Sequence, residues 1–494
     1  MTGPGRETPP DLAAPDLADQ PKLADLDDAC RAEALRWAGI GIAALAVAGV
    51  LALLLALART PVVQDLLPWP WESFFPKALV SHVVLSVVVW FLAALGVLTT
   101  LASGRLGADR SSGALRHATG IAGAACALLV GPALLDLGAP SLNNYVPVLD
   151  TPLYLAGLLL LALAVALPCL RLLSRLTLRA LEDPLVTVSA AAALAYLSAL
   201  VCFALGVWLT EPMADRKETY EFMFWGGGHI LQIVNALLLI GAWATLAGWA
   251  GMRPILSPVP FALALGAPTL VALGAPFIYL FADQNSGAAY RAFTQLYVIA
   301  LAPTLAVLGL AMARRAWIDR RRLSMRDPAG AALVLSLVLF GLGGLFGFLL
   351  GQGDTRTPAH YHAAIGGVNL ALFGLFLALV PLLANKRAGT SKARWLLLWL
   401  YGAGQGLHSL GLFLAGSAGV ARKTAGADQA LDSAWKMASM GVMGLGGLIA
   451  VIGGVMFVIL AGRDAWGSDI DKNQRGGKAP AFREETQSCR GDST

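Results

Sequence analysis

The sequence predicts an all-α integral membrane protein with twelve transmembrane helices and both termini cytoplasmic. Three observations carry that fold class. The 494 residues are 57% hydrophobic and 14% charged, with mean hydropathy +0.67, against a charge content of ~25% in soluble domains. Continuous apolar runs recur along the whole chain, each long enough to cross ~30 Å of hydrocarbon. Lys and Arg gather in alternate loops between those runs. Backbone polar groups in lipid must be satisfied within the chain, so the runs are helices. Their Leu/Ala/Gly-rich composition lacks the alternation of a β-barrel.

Taken in order, the predicted spans lie near 36–58, 78–102, 114–138, 152–173, 184–209, 221–249, 256–282, 292–313, 329–351, 360–384, 394–418 and 436–461. An acidic, Pro/Asp-rich stretch over 1–34 precedes them and reads as a disordered cytoplasmic tail. Residues 35–462 form the membrane domain, and 463–494 a second disordered cytoplasmic tail. Loops two, four, eight and ten hold Arg105/Arg110/Arg116, Arg171/Arg175/Arg179, Arg314/Arg315/Arg320/Arg321/Arg322/Arg326 and Lys386/Arg387/Lys392/Arg394; the short loop six holds Arg253. The odd loops carry Asp65, Asp150, Glu211, Asp215, Glu218, Asp283, Asp354 and Asp428 instead. By the positive-inside rule the even loops and both termini are cytoplasmic, which an even helix count requires independently. The odd loops also hold Pro68-Trp69-Pro70-Trp71 and Asn143-Asn144-Tyr145-Val146-Pro147, clusters suited to ordered caps at the interface. The protein is thus a multi-pass component of the cell's inner (cytoplasmic) membrane, with lipid around it.

The net charge of +5 is no nucleic-acid signal, because its basic residues sit in short loops. Cys30, Cys126, Cys169, Cys202 and Cys489 have no CxxC or CxxCH spacing, which leaves disulfides, zinc and covalently attached heme without support. Nothing at the start reads as a cleavable signal, and no inverted repeat of the transporter kind is visible.

The six histidines are the informative residues: His82, His117, His229, His360, His362 and His408. Ionisable side chains are costly inside a membrane and are functional candidates there. The predicted topology puts His82, His229, His360 and His362 in the outer third, on helices two, six and ten. Residues two apart on a helix point ~200° from one another, so His360 and His362 serve two sites rather than one. If His362 pairs with His82, the product is six-coordinate bis-histidine heme, suited to electron transfer. His360 then holds a second heme from one side, and His229 looks onto its open face. His117 reads as an interfacial residue. His408, in Gly402-Ala403-Gly404-Gln405-Gly406-Leu407-His408, reads as a supporting residue where helices pack closely.

Together Ser81-His82, Gly228-His229 and His360-Tyr361-His362 resemble helices two, six and ten of subunit I of the heme–copper oxidase superfamily, the core of cytochrome c oxidases and nitric oxide reductases. Arg422-Lys423 is similar to the basic pair that this family sets on heme propionates, and Tyr290-Arg291-Ala292-Phe293-Thr294 to its stretch between helices seven and eight. The resemblance implies that His82 and His362 bind a low-spin heme and His360 a high-spin heme, with Arg422 and Lys423 as further cofactor-binding residues. It makes His229 a ligand of a second active-site metal.

Departures from the family pattern are as informative. Its adjacent His-His pair on helix seven is missing; Tyr279-Leu280-Phe281-Ala282-Asp283-Gln284-Asn285 stands nearby. Ile233 and Leu231 stand where many members carry a tyrosine and a glutamate. Copper favours imidazole and sulfur donors, whereas a carboxylate such as Asp283 or Glu221 beside His229 favours non-heme iron. The reading is therefore a respiratory terminal reductase subunit reducing NO or O2, with His229, His360 and Asp283 as catalytic residues. Two hemes and a non-heme iron or copper are implied, as is a small membrane-anchored subunit of cytochrome c or cupredoxin type through which electrons enter. Two alternatives stand beside it. One is a heme-bearing member without a working binuclear site, serving electron transfer or assembly; the other is a cofactor-free transporter whose histidines relay protons.

Overall fold

The computed structural model describes residues 26–58, 71–107, 113–386, 391–424 and 429–467. Among these, eleven helices are long and apolar enough to cross a membrane. They are α1 (Asp28–Ala58), α2 (Phe74–Arg105), α3 (Gly113–Leu134), α4 (Pro152–Leu173), α5 (Pro184–Leu209), α6 (Arg216–Trp249), α7 (Pro258–Phe281), α8 (Gly287–Ile318), α9 (Pro328–Gly347), α10 (Arg356–Leu383) and α12 (Ala434–Trp466). Between the last two runs α11 (Lys392–Ser417), a further 26-residue helix. Gln405, His408 and its glycines make α11 less apolar than the rest. It nonetheless packs along α10 and α12, where Gly404 and Gly411 let its backbone touch that of α12.

Local chemistry starts these helices where the sequence changes character. Asp183 accepts hydrogen bonds from the amides of Leu185 and Val186, with Pro184 at the first helical position of α5. Asp327 caps α9 ahead of Pro328 in the same way, and Ser286, Ser391 and Ser433 cap α8, α11 and α12. Each such cap stabilises its helix by ~1 kcal/mol.

Both predicted tail boundaries move. Residues 28–34 belong to α1, because Asp27 caps the amide of Cys30, and Cys30 and Leu26 pack against Gly104 of α2. Glu33, 3% exposed, pairs with Arg171 of α4 at 3.7 Å. At the other terminus α12 continues to Trp466, held by the Asp464–Arg394 ion pair at 2.6 Å. Residues 1–25 and 468–494, the Pro68-Trp69-Pro70 cluster, Asp65, Arg110, Arg387 and Asp428 lie outside the described residues.

The helix bundle has two distinct ends. One gathers the start of α1, the end of α12, Arg105, Arg171, Lys386 and Arg394. The other carries an antiparallel hairpin of β1 (Ala139–Ser141) and β2 (Val148–Asp150). Asp150 of the hairpin takes hydrogen bonds from Arg216 and Tyr220 at the start of α6. Burial works against its charge, but those two donors outweigh it and hold its carboxyl below the ordinary range.

At the centre stand α2, α6 and α10, each 83% buried over its apolar window. Side-chain hydrogen bonds fix how they meet. Trp90 Nε1 of α2 donates to Asn369 Oδ1 of α10 at 3.0 Å, and Asn369 Nδ2 donates to Tyr401 Oη of α11 at 2.8 Å. Trp243 Nε1 of α6 donates to Ser336 Oγ of α9 at 2.8 Å, and that hydroxyl donates to the Gly367 carbonyl of α10 at 2.6 Å. In an apolar core each satisfied donor contributes ~1 kcal/mol and, because an orphaned one costs more, the bonds lock helix register.

Candidate functional site

Four of the six histidines lie on the three central helices, and their hydrogen bonds decide what each can do. His82 Nδ1 of α2 sits 2.9 Å from the Ala48 carbonyl of α1. His360 Nδ1 of α10 sits 2.7 Å from the Gly343 carbonyl of α9, with Gly347 leaving room against its ring. A carbonyl only accepts, so Nδ1 carries the proton and the neutral ring keeps its lone pair on Nε2. One nitrogen anchored and the other free is how metal-binding histidines are held.

Helix rise sets His82 and His362 at a similar level of the bundle. Seven residues separate His362 from Asn369, two turns along one face of α10. Eight separate His82 from Trp90, which would rotate His82 off that face were the helix regular. Between them α2 contains a π turn, Val84–Val89, whose wider hydrogen-bonded loop takes up one extra residue. His82 therefore returns to the Trp90 face. With Trp90 bonded to Asn369, both histidines stand about 11 Å of helix rise beyond that bond, toward the hairpin.

His362 also meets a residue that the sequence left in a supporting role. Its ring centroid lies 4.5 Å from that of His408 on α11, the planes inclined at 68°. His408 Nδ1 in turn lies 2.9 Å from the Met443 carbonyl of α12. His117 is exposed at the start of α3.

His229 on α6 has a different setting. It is 1% exposed and enclosed by aromatic rings. Its Nδ1 donates to the Trp225 carbonyl one turn earlier at 2.9 Å, and the Tyr145 hydroxyl donates to its Nε2 at 3.2 Å. Tyr297 of α8 stacks on the ring at 4.6 Å and 28°, and its hydroxyl donates to Tyr145 at 3.3 Å. Trp225 closes another side, its ring centroid 4.6 Å away. The hairpin loop delivers Tyr145, and Gly228 admits it, since a Cβ there would collide with the Tyr145 ring. Tyr297 opens a π turn in α8, so both π turns among the described residues adjoin a candidate site.

Asp283 does not join His229. Its carboxylate accepts the Asn285 amide in an exposed turn. Its neighbour Gln284 is bonded to the Phe222 carbonyl, about 10 Å of helix rise from His229. The polar turn is satisfied by its own loop, so the sequence proposal of Asp283 as metal ligand and catalytic residue fails. Glu221 is taken up by both nitrogens of Asn144. Among the described residues no group of three or more His, Cys, Asp and Glu stands ready for a metal ion.

Arg422 and Lys423 lie where the α11–α12 loop is tied to the start of α10. Ala421 bridges Asp354, and the Arg422 amide donates to the Gly353 carbonyl. The Arg422 guanidinium lies beside Tyr361, between the two α10 histidines in sequence. Lys423 Nζ donates to the Leu142 carbonyl of the hairpin loop. Burial, and then the guanidinium beside it, push the Lys423 ammonium down to about 8. Two cations held together and partly desolvated form a natural seat for an anion.

Comparison with known sequences gives this geometry its context. Residues 34–456 match the family described as Cytochrome C and Quinol oxidase polypeptide I. The chain belongs to that family. It is therefore placed in the heme–copper oxidase subunit I superfamily, a group of multi-pass membrane oxidoreductases of respiratory chains. An uncharacterised protein of Rickettsia prowazekii (strain Madrid E) is 25% identical over 488 residues, covering 86% of this chain and 94% of its own. An uncharacterised protein of Aquifex aeolicus (strain VF5) is 30% identical over 352 residues, covering 69% and 82%.

The residues fit heme, the group this family binds. Among the described residues no partner takes the Nε2 lone pair of His82 or His360, and a paired cation site suited to propionates lies at the same end of the bundle. They fit a second metal poorly, because both nitrogens of His229 are already bonded within the protein. Sequence reading missed Tyr145, Tyr297 and Trp225 as partners of His229, although Asn143-Asn144-Tyr145-Val146-Pro147 stood out as an ordered cap. It also missed the contact of His408 with His362, which the polarity of α11 signalled.

Proposed function

We propose that this chain is the heme-bearing core subunit of a respiratory terminal reductase acting on a small gaseous substrate, NO or O2. The observation that carries the reading is the anchored Nδ1 and free Nε2 of His82 and His360, on two of the three most buried helices. His82 and His362 would hold a low-spin heme, and His360 would hold a high-spin heme. When bound, the two hemes would supply one-electron transfer and the capacity to bind a diatomic gas. Arg422 and Lys423 neutralise the propionates. The Tyr297–Tyr145–His229 chain holds exchangeable protons in line within the aromatic cage. Electrons enter through a small membrane-anchored subunit of cytochrome c or cupredoxin type, since this chain has no CxxCH of its own.

In this reading α11 also crosses the membrane, which brings the spans to twelve; the hairpin end is extracytoplasmic, and both termini are cytoplasmic. The arginine-rich connections at the opposite end support that orientation. The purified protein should carry two hemes per chain by pyridine hemochrome, and His82→Ala should abolish the low-spin signal. Colourless protein would refute the reading and leave the proton-relay transporter.

A second reading has a specific observation in its favour. With His229 bonded at both nitrogens, a member that keeps its hemes, lacks a working binuclear site and serves electron transfer or assembly accounts for the cage. Metal analysis separates the two: iron or copper beyond heme together with NO or O2 turnover supports a binuclear reductase, and absence of both supports the second.

A further inference from the structure

We propose that His408 is a positioning residue for His362, its Nε2 accepting the Nδ1–H of His362 and so fixing the plane of that ring. The inference rests on the heme reading above and deepens it. His408 lies mid-span on α11, where an imidazole without partners is costly. One of its nitrogens is accounted for: Nδ1 donates to the Met443 carbonyl at 2.9 Å, which leaves the lone pair on Nε2.

The slot that holds this ring is built by glycine. A Cβ on Gly447 would lie 3.1 Å from His408 Nδ1, and one on Gly446 would collide with the His408 amide. Gly404, one turn away, is pressed against Ala450 and Gly446. The backbones of α11 and α12 are thus in contact at this level, and His408 has a fixed base. His362 is the ring that meets it, at 4.5 Å and 68°.

An imidazole that gives Nε2 to iron carries its proton on Nδ1 and needs an acceptor there. For His82 and His360 that acceptor is a backbone carbonyl of a neighbouring helix. The His362 ring meets another imidazole, its plane inclined at 68°. A side-chain acceptor responds to substitution without any change of backbone, so the device is open to test.

Electron paramagnetic resonance of the oxidised, heme-loaded protein reads the ring planes of the low-spin ligands. His408→Phe should retain a six-coordinate low-spin heme, shift its g-tensor, and release that heme to apomyoglobin ~10–100-fold faster. His408→Gln, which keeps an acceptor, should restore most of the wild-type g-tensor and release rate, and it serves alone should the Phe variant not accumulate. A His408→Phe spectrum and release rate equal to wild type would overturn the proposal. So would a five-coordinate, carbon-monoxide-binding heme in its place, because His408 would then itself be a ligand. With Gln as the sole variant, a g-tensor further displaced than experimental scatter, with release accelerated at least tenfold, would equally overturn it. Wild-type protein with no low-spin heme would instead refute the reading on which this rests.

Discussion

His229 and His82 are the same residue on two of the most buried helices, and the structure treats them in opposite ways. Around His229 the protein satisfies both nitrogens, with Trp225 accepting from one and Tyr145 donating to the other. At His82, among the described residues, only Nδ1 is bonded, to the Ala48 carbonyl, and the residue is half-buried. Depth in a membrane does not by itself identify a ligand. The distribution of hydrogen bonds over the two nitrogens does, because an imidazole can give iron only the lone pair that the protein leaves unused.

Substitution of the histidines should break or sharpen that contrast most strongly. His82→Ala and His362→Ala should each lose one full heme equivalent per chain, and His360→Ala the other, by pyridine hemochrome. His229→Ala should retain both. Loss of a heme from the His229 variant would erase the distinction between the two settings.

Next in size is the register lock. Asn369→Leu leaves the buried Trp90 indole N–H without its acceptor and removes the donor to Tyr401. A destabilisation of ~1–3 kcal/mol follows, read as a lower Tm, together with a broadened low-spin signal as α2 and α10 slip. A sharp wild-type signal would mean that this bond does not set the His82–His362 register.

The cage itself should respond more weakly. Tyr145→Phe keeps the packing and removes the hydroxyl that bonds His229 Nε2, at a cost of ~1 kcal/mol. Heme content should not change. Because the freed Nε2 then resembles that of His82, the variant should also bind added divalent metal more tightly than wild type. Equal metal binding would argue that hydrogen bonding is not what closes this site.

Lys423 gives the smallest effect, with a defined sign. Its ammonium, pushed down to about 8 by burial and by Arg422, is present below that pH and lost above it. Propionates need the charge, so heme affinity should fall as pH rises through 8, by at most tenfold per pH unit. Stability of the heme-free protein should move the other way. The unfolded chain holds this proton to higher pH, so stability rises between about 8 and the ordinary lysine range. In Lys423→Met both trends should flatten.

The long apolar runs made most of the fold legible, since each reports its own helix. Their ends were less so. Residues 28–34 look like an acidic tail, yet Glu33 finds Arg171, a partner far along the chain that periodicity cannot reveal. The histidines could be picked out by their cost in lipid, but not their roles. Neither the π turn over Val84–Val89 nor the delivery of Tyr145 by a hairpin loop follows from local pattern. Asp283 was misjudged for a related reason: its turn meets its own hydrogen-bonding needs, so the carboxylate is not available to His229.

The central claim is that His82 and His362, and not His229, bind iron. Near-infrared magnetic circular dichroism of the purified oxidised protein tests it most directly, by identifying the axial ligands of each heme. The account predicts one bis-histidine, six-coordinate heme per chain, with its band unchanged in His229→Ala and absent in His82→Ala. A bis-histidine band that survives in His82→Ala and vanishes in His229→Ala would contradict it.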